Sequence, residues 1–461
     1  MKMKPLVILL ALSLASNSAH AAYRPSAGRA GNFLHERDPK MMIDMVQFVF
    51  RSGSFHDPAG KEGLARLSFL SLLRGTKKLT REEFIQSLEE LGASATVDTK
   101  PSRSILTLTV IRENLEPALD LVAQAILAPG LRDEEIRNLL DEELASLSME
   151  KASNRQMARR AFLQTIYRGT PFQFPPEGTP DSLARITPKD VKAFLGAHLR
   201  SDNLIVAAAG NRSEGEIAGL VRDRLAPLAA GKAPAPRAFS PAPIRGRHLV
   251  LVPRKGSATT EVLFGHRGFR AGDPDWVPLQ VGMFVFGSEF TSRLSEVLRK
   301  QNGWTYGAYG FYTAFDSPRR HGGTFLMYAF PQAQYTHLLM PKALQLFEEY
   351  VEKGVTKEEL RFAAASLSKS YPFELADAVQ RLNRRLYQRL DGAPFPGLAE
   401  MRRLLKATSR EAVLRAARKI HDSKNLVIVL AGDPDELEKT RKALGPMASE
   451  KEINDPMKAL P

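Results

Sequence analysis

Two imidazoles within one helical turn, with a carboxylate beside them, can make a hydrolytic zinc site. Both rings then reach one ion, and the acid takes a proton from the bound water. Beyond its first twenty residues this chain carries His35, His56, His198, His248, His266, His321, His337 and His421, and no two lie within one turn of each other. There is no cysteine, so thiolate zinc ligands, a cysteine nucleophile and disulfides are all excluded. Chemistry of another kind is open to Arg299 and Tyr306, which lie close together in the chain. A guanidinium and a phenol both donate hydrogen bonds, and can hold a peptide carbonyl or steady an oxyanion as charge develops. By itself such a pair also reads as a solvated arginine and a tyrosine at a core edge, so the functional reading needs support from its surroundings.

The elements expected to position these groups follow from local pattern. Asn302-Gly303 suits a helix end, because both residues tolerate a left-handed cap. Arg299 is therefore expected at a helix C-terminus and Tyr306 at the start of a β-rich run, Tyr306 to Phe315. Residues 63–76, GLARLSFLSLLRGT, have helical composition, with Leu64, Leu67, Leu70 and Leu73 as a stripe facing a core. Capping boxes at Thr80-Arg81-Glu82-Glu83 and Thr356-Lys357-Glu358-Glu359 open two further helices. Strands are expected at Met45 to Phe50, Ala93 to Thr99 and Ser104 to Ile111, with Pro101 in the turn between the last two. Helical periods cover about Glu113–Leu127, Asp133–Lys151 and Asn154–Tyr167. Antiparallel strands with helices packed on them predict an α+β fold built of α/β sandwiches.

The pattern occurs twice. Asp202 to Asn211 (DNLIVAAAGN) matches Lys424 to Asp433 (KNLVIVLAGD), which places Gly210 and Gly432 at an offset of 222. Thr187 and Thr408 precede these segments at an offset of 221, and the turns Arg168-Gly169-Thr170-Pro171-Phe172 and Asp391-Gly392-Ala393-Pro394-Phe395 match at an offset of 223. A weaker fourth landmark, the strands ending near Gly53 and Gly268, sits at a somewhat smaller offset, as a few inserted residues would produce. Two copies of one fold of roughly 200 residues are therefore expected. Ala229 to Arg247 (AAGKAPAPRAFSPAPIRGR) reads as a Pro/Ala-rich linker between them. The expected divisions are 1–21, 22–228, 229–247 and 248–461.

Gly63-Leu64-Ala65 and Gly75-Thr76 frame a segment that resembles the metal-binding helix of the pitrilysin/insulinase-type zinc metallopeptidases, the family that includes the mitochondrial processing peptidase. Active members read Gly-Leu-Ala-His-x-x-Glu-His there. Here Arg66 and Leu70 stand at the histidine positions and Phe69 at the glutamate. None of these can bind zinc or act as a base. The family's third ligand is a downstream Glu, for which Glu142, Glu143 and Glu150 lie in about the right helix. Phe290 to Gly307, with Ser292-Arg293-Leu294, Arg299 and Tyr306, resembles the family's C-terminal signature. In the family that pair faces the zinc site from the other domain and contacts substrate. The resemblance covers essentially the whole chain after residue 21. It implies a clamshell half made of two similar domains. It also implies a non-catalytic, substrate-binding subunit without a cofactor of its own, supplying Arg299 and Tyr306 to an unfolded peptide held at a homologous partner's zinc site. A catalytically dead structural or assembly protein of the same fold, or a stand-alone peptide-binding protein, are the alternatives.

Where such a protein works is read from its start. Met1-Lys2-Met3-Lys4, an apolar run from Pro5 to Ala15, and Ala19-His20-Ala21 give the three-part pattern of a secretory signal peptide. That run is too short for a bilayer anchor. A periplasmic or secreted product beginning near Ala22 is expected, with no transmembrane anchor. The formal charge of +14 becomes +12 once Lys2 and Lys4 are removed. A basic surface suits an acidic protein or membrane partner, and secretion argues against nucleic acid.

Overall fold

The computed structural model describes residues 32–235, 239, 241–269, 272–313 and 323–458. The proposed leader, residues 1–21, lies outside the described residues. Those described between 229 and 247 carry neither helix nor strand.

The first sheet contains β1 (Phe33–Arg37), β2 (Ile43–Phe50), β3 (Ala93–Thr99), β4 (Ser104–Ile111) and β5 (Leu204–Gly210), in the spatial order β1-β5-β2-β4-β3. The second contains β6 (His248–Pro253), β7 (Glu261–Phe269), β8 (Thr305–Thr313), β9 (Gly323–Pro331), β10 (Val427–Gly432) and β11 (Ser449–Glu452), in the order β11-β6-β10-β7-β9-β8. Without the extra edge strand β11, the two orders are the same permutation. In both sheets the first strand of the repeat runs parallel to the last; the extra edge strand β11 also pairs parallel, with β6, and the remaining pairs are antiparallel. Register confirms the duplication. Met45 lies opposite Ala209 and Glu261 opposite Ala431, so the pairing of β2 with β5 recurs between β7 and β10 with a slightly longer spacing along the chain.

The strands β5 (LIVAAAG) and β10 (VIVLAG) are buried throughout, because both faces of each are covered. Side chains alternate between faces. In the first sheet Val46, Phe48, Phe50 and Val206 join the large core formed with the half's own helices. Met45, Val49, Ala207 and Ala209 point the other way, onto Ala378, Leu382 and Leu386. Those three belong to the helix Ala378–Asp391 of the second half. The arrangement is reciprocal. The helix Asn154–Ile166 of the first half packs on β6, β7 and β10, with Phe162 so close to β7 that a Cβ on Gly265 would lie 3.1 Å from its ring. Each helix is followed by one of the matching turns 168–172 and 391–395, so the two halves exchange equivalent helices. Arg103, beside β4, and Asp391, at the end of the exchanged helix, form a buried two-pronged ion pair with both bonds at 3.1 Å. Residues 33–461 form one compact unit.

Both expected capping boxes form: Thr80 accepts from the N–H of Glu83 and Thr356 from that of Glu359, and each glutamate returns a bond to its cap. Among the described residues no helix is long and apolar enough to cross a membrane.

Candidate functional site: a filled metal position and an open arginine–tyrosine pair

Gly63 starts the helix Leu64–Leu70 with φ of +103°. A Cβ there would lie 2.6 Å from Leu183, so glycine is required on both conformational and steric grounds. The Asp57 carboxylate caps the turn, accepting N–H bonds from Gly63 (2.9 Å) and Ala65 (2.7 Å). The helix tightens into a 3₁₀ turn at Ser71–Leu73. The core face departs from the expected Leu64, Leu67, Leu70, Leu73, because a strict three-residue step falls short of the 3.6-residue turn and drifts off one face. Leu64 and Leu67 are buried, but Leu70 and Leu73 are only partly so, and the core positions are Phe69 and Leu72. Phe69, at the position of the catalytic glutamate, has no exposed surface and lies 5.4 Å from the Phe50 ring and 6.4 Å from Phe194.

Arg66 and Leu70 occupy the half-buried neighbouring face. Arg66 Nε and Nη2 donate to the two carboxylate oxygens of Glu143 at 2.7 and 3.1 Å, a two-pronged charged pair of the strong kind. Glu177 and Asp98 add further negative charge near the guanidinium. A cation is thus present at the first ligand position, but it is covalently part of the chain. Glu142 pairs with Arg74 and Arg81, and Glu150 with Arg160. All three candidate third ligands are therefore held by arginines. Among the described residues no cluster of three or more histidine or acidic side chains is arranged to hold a metal.

Folding does bring histidines together that the sequence separates. The His56 and His198 rings lie 5.0 Å apart, and those of His266 and His421 5.2 Å apart. In the second pair the proton positions are dictated. His266 Nδ1 must donate to the Arg267 carbonyl, so its Nε2 accepts from His421 Nδ1, and His421 Nε2 accepts from the Tyr312 hydroxyl. Both rings are neutral, and burial together with the neighbouring ring holds His421 well below the usual histidine range. Every nitrogen in this pair is used internally, so it offers no lone pair to a ligand.

Arg299 and Tyr306 are differently placed. The turn Ser295–Gln301 is π-helical and ends at Asn302; Gly303, with φ of +66°, returns its N–H to the Arg299 carbonyl at 2.9 Å. Arg299 is exposed, with its guanidinium 4.8 Å from the centre of the Phe290 ring. Phe290 is 61% exposed and meets Tyr309 edge-on. Its part in the site carried no signal in the sequence beyond its place in the signature. Tyr306 is 72% exposed. Between Thr305 and Ala308 the pairing of β8 with β9 slips out of register, and such a bulge re-aims a side chain at a sheet edge. Gly307 makes it sterically possible, since a Cβ there would lie 2.7 to 2.9 Å from the Tyr309 and Phe330 rings. Neither the Arg299 guanidinium nor the Tyr306 hydroxyl forms a hydrogen bond or ion pair with a described residue, whereas the Arg293 side chain of the same signature is spent on Glu359 and the Gly354 carbonyl. No hydrogen bond, ion pair or ring contact among the described residues links the Arg66 region to Arg299 and Tyr306.

Two family descriptions match this chain: insulinase (peptidase family M16) over residues 33–179, and peptidase M16 inactive domain over residues 185–367. The chain belongs to the M16 peptidase family. Similar relatives of this M16 chain include a protein of Helicobacter pylori named "Non-peptidase homolog YmxG", 25% identical over 76% of this chain and 80% of that one. Another is an "Uncharacterized zinc protease" of Rickettsia bellii, 23% identical over 70% and 76% of the two chains. Among solved structures, the peptidase M16 inactive domain from Pseudomonas fluorescens superimposes with a TM-score of 0.78 at 23% identity, over 87% of this chain and 95% of that one. A chain of complex III2 from Candida albicans superimposes at 0.73 with 16% identity, over 89% and 97%. The M16 chain is thus an inactive-type homologue with the fold of its family.

Proposed function

We propose that this chain is the non-catalytic, substrate-binding subunit of a two-chain zinc peptidase acting in the periplasm or outside the cell. A homologous partner brings the His-x-x-Glu-His zinc site, and this chain brings Arg299 and Tyr306 to the unfolded peptide held there. The observation that carries the reading is the contrast in pairing. The charges at the old metal helix and its candidate third ligands are matched within the chain, while Arg299 and Tyr306 stand exposed without a described polar partner at a bulged sheet edge. An exposed donor pair held by a bulge and an aromatic shelf suits a carbonyl delivered by another molecule.

The test is peptidase activity on unstructured peptides with zinc, for the chain alone, for an intact His-x-x-Glu-His family member from the same organism, and for the two mixed. Activity gained only in the mixture is expected. Arg299→Ala or Tyr306→Phe should lower its turnover roughly tenfold or more without preventing assembly. Unchanged turnover in both variants would remove the pair from the mechanism. The structural match to a respiratory-complex chain favours a second reading, an assembly protein of the same fold. Under that reading both substitutions are silent and the chain co-purifies with a larger complex.

A further inference from the structure

A cleft of about 660 Å³ opens where the two halves meet, within the range of roughly 300–1,000 Å³ typical of ligand sites. Both exchanged helices contribute an arginine to its walls, Arg159 from the helix Asn154–Ile166 and Arg384 from the helix Ala378–Asp391. The two arginines differ in what they hold. Arg384 is bound to Glu374. Arg159 is exposed and makes no hydrogen bond or ion pair with a described residue. On the same cleft, Glu177 has one carboxylate oxygen, Oε2, buried without a hydrogen-bond partner. A buried carboxylate oxygen without a donor is costly and is satisfied by an N–H. Trp276, Tyr312 and Tyr387 add aromatic surface, which favours a ring over a plain aliphatic group.

We propose that this cleft binds a peptide segment in which an aromatic side chain lies beside a carboxylate. The ring packs among Trp276, Tyr312 and Tyr387, the carboxylate pairs with Arg159, and a backbone N–H of the segment reaches Glu177. The three demands together select a peptide, because a chain with amide N–H groups meets the third while carrying the other two. This rests on the reading that the chain handles unfolded peptide, and it adds a preference that the chain exerts without its partner.

The experiment is calorimetric titration of the chain alone with three end-blocked decapeptides that differ only at two central residues: Phe-Asp, Ala-Asp and Phe-Lys. The Phe-Asp peptide should bind roughly tenfold or more tighter than either of the others. Arg159→Glu, at an exposed position, should reverse the preference between Phe-Asp and Phe-Lys, while Arg299→Ala should leave it unchanged. Equal binding of the three peptides, no binding, or an unaltered preference in Arg159→Glu each overturns the proposal. Such a result alongside partner-dependent activity in the mixing assay would leave the subunit reading standing. The opposite combination would keep the cleft and reject the subunit.

Discussion

The first half of the molecule pairs or buries Arg66 and Phe69 of the helix Leu64–Leu70, while the second leaves Arg299 and Tyr306 exposed. Around the helix Leu64–Leu70, Arg66 is taken by Glu143 and Phe69 is sunk into a ring cluster. Around the turn Ser295–Gln301, Arg299 rests on an exposed ring and Tyr306 projects from a bulge. The carboxylate facing Arg66 is matched by a cation of the chain itself, and position 69 is part of the core. A position that has been absorbed in this way affects stability when altered, whereas one left open affects only what a visiting molecule meets.

That difference can be broken from its strongest side first. Phe69→Glu removes a fully buried ring and leaves a carboxylate among Phe50 and Phe194. Ring loss alone costs about 3–5 kcal/mol and the buried charge adds to it, so the urea midpoint should fall steeply or the chain should not fold. An unchanged midpoint would mean that position 69 reaches water and is not part of the core. Glu143→Ala strands the half-buried Arg66 guanidinium and should cost roughly 1–3 kcal/mol. Adding Arg66→Met should recover most of that. A coupling energy near zero in the double-mutant cycle would show the pair to be incidental.

Acid should act on both halves, since each holds a buried histidine pair. Burial, with His56 beside it, pushes His198 down to about 4, and His421 lies well below its ordinary value. The folded chain therefore binds fewer protons than the unfolded chain once the pH drops below the free histidine value. Stability is fully present above about pH 6.5 and declines as the pH falls toward the folded values. Melting at pH 7 and pH 5 in matched salt should show the loss, and equal Tm values would mean that these rings are charged or wet when folded. The smallest effect is expected at the open pair. Arg299→Ala and Tyr306→Phe should shift stability by no more than about 0.5 kcal/mol. A larger shift would make them structural and erase the contrast.

Much of this was legible in the chain. Strands Ala93–Thr99 and Ser104–Ile111 fall where alternation places them, and the offsets of matching segments announce two copies whose sheets share one strand order. The degenerate helix was visible from its framing glycines. Its facing was not legible from Leu64, Leu67, Leu70 and Leu73, because a strict three-residue step drifts off the face that the 3.6-residue turn keeps, which runs through Ala65, Phe69 and Leu72. Nor was the Arg66–Glu143 pair visible, since the partners lie on helices far apart in the chain and either alone reads as a solvated charge. The convergence of His266 with His421 stayed hidden for the same reason. Helix exchange left no trace either: an apolar stripe shows that a helix is covered, not which sheet covers it.

The exchanged helices determine how this protein can move. Two domains joined by a linker would ordinarily swing about it. Here rotation of one half would drag Leu382 and Leu386 off Ala207 and Ala209 at one end and Phe162 off Gly265 at the other, like a buckle with two tongues. Cutting the linker would leave a nicked but still fastened body. The chain should therefore turn as a single stiff lever.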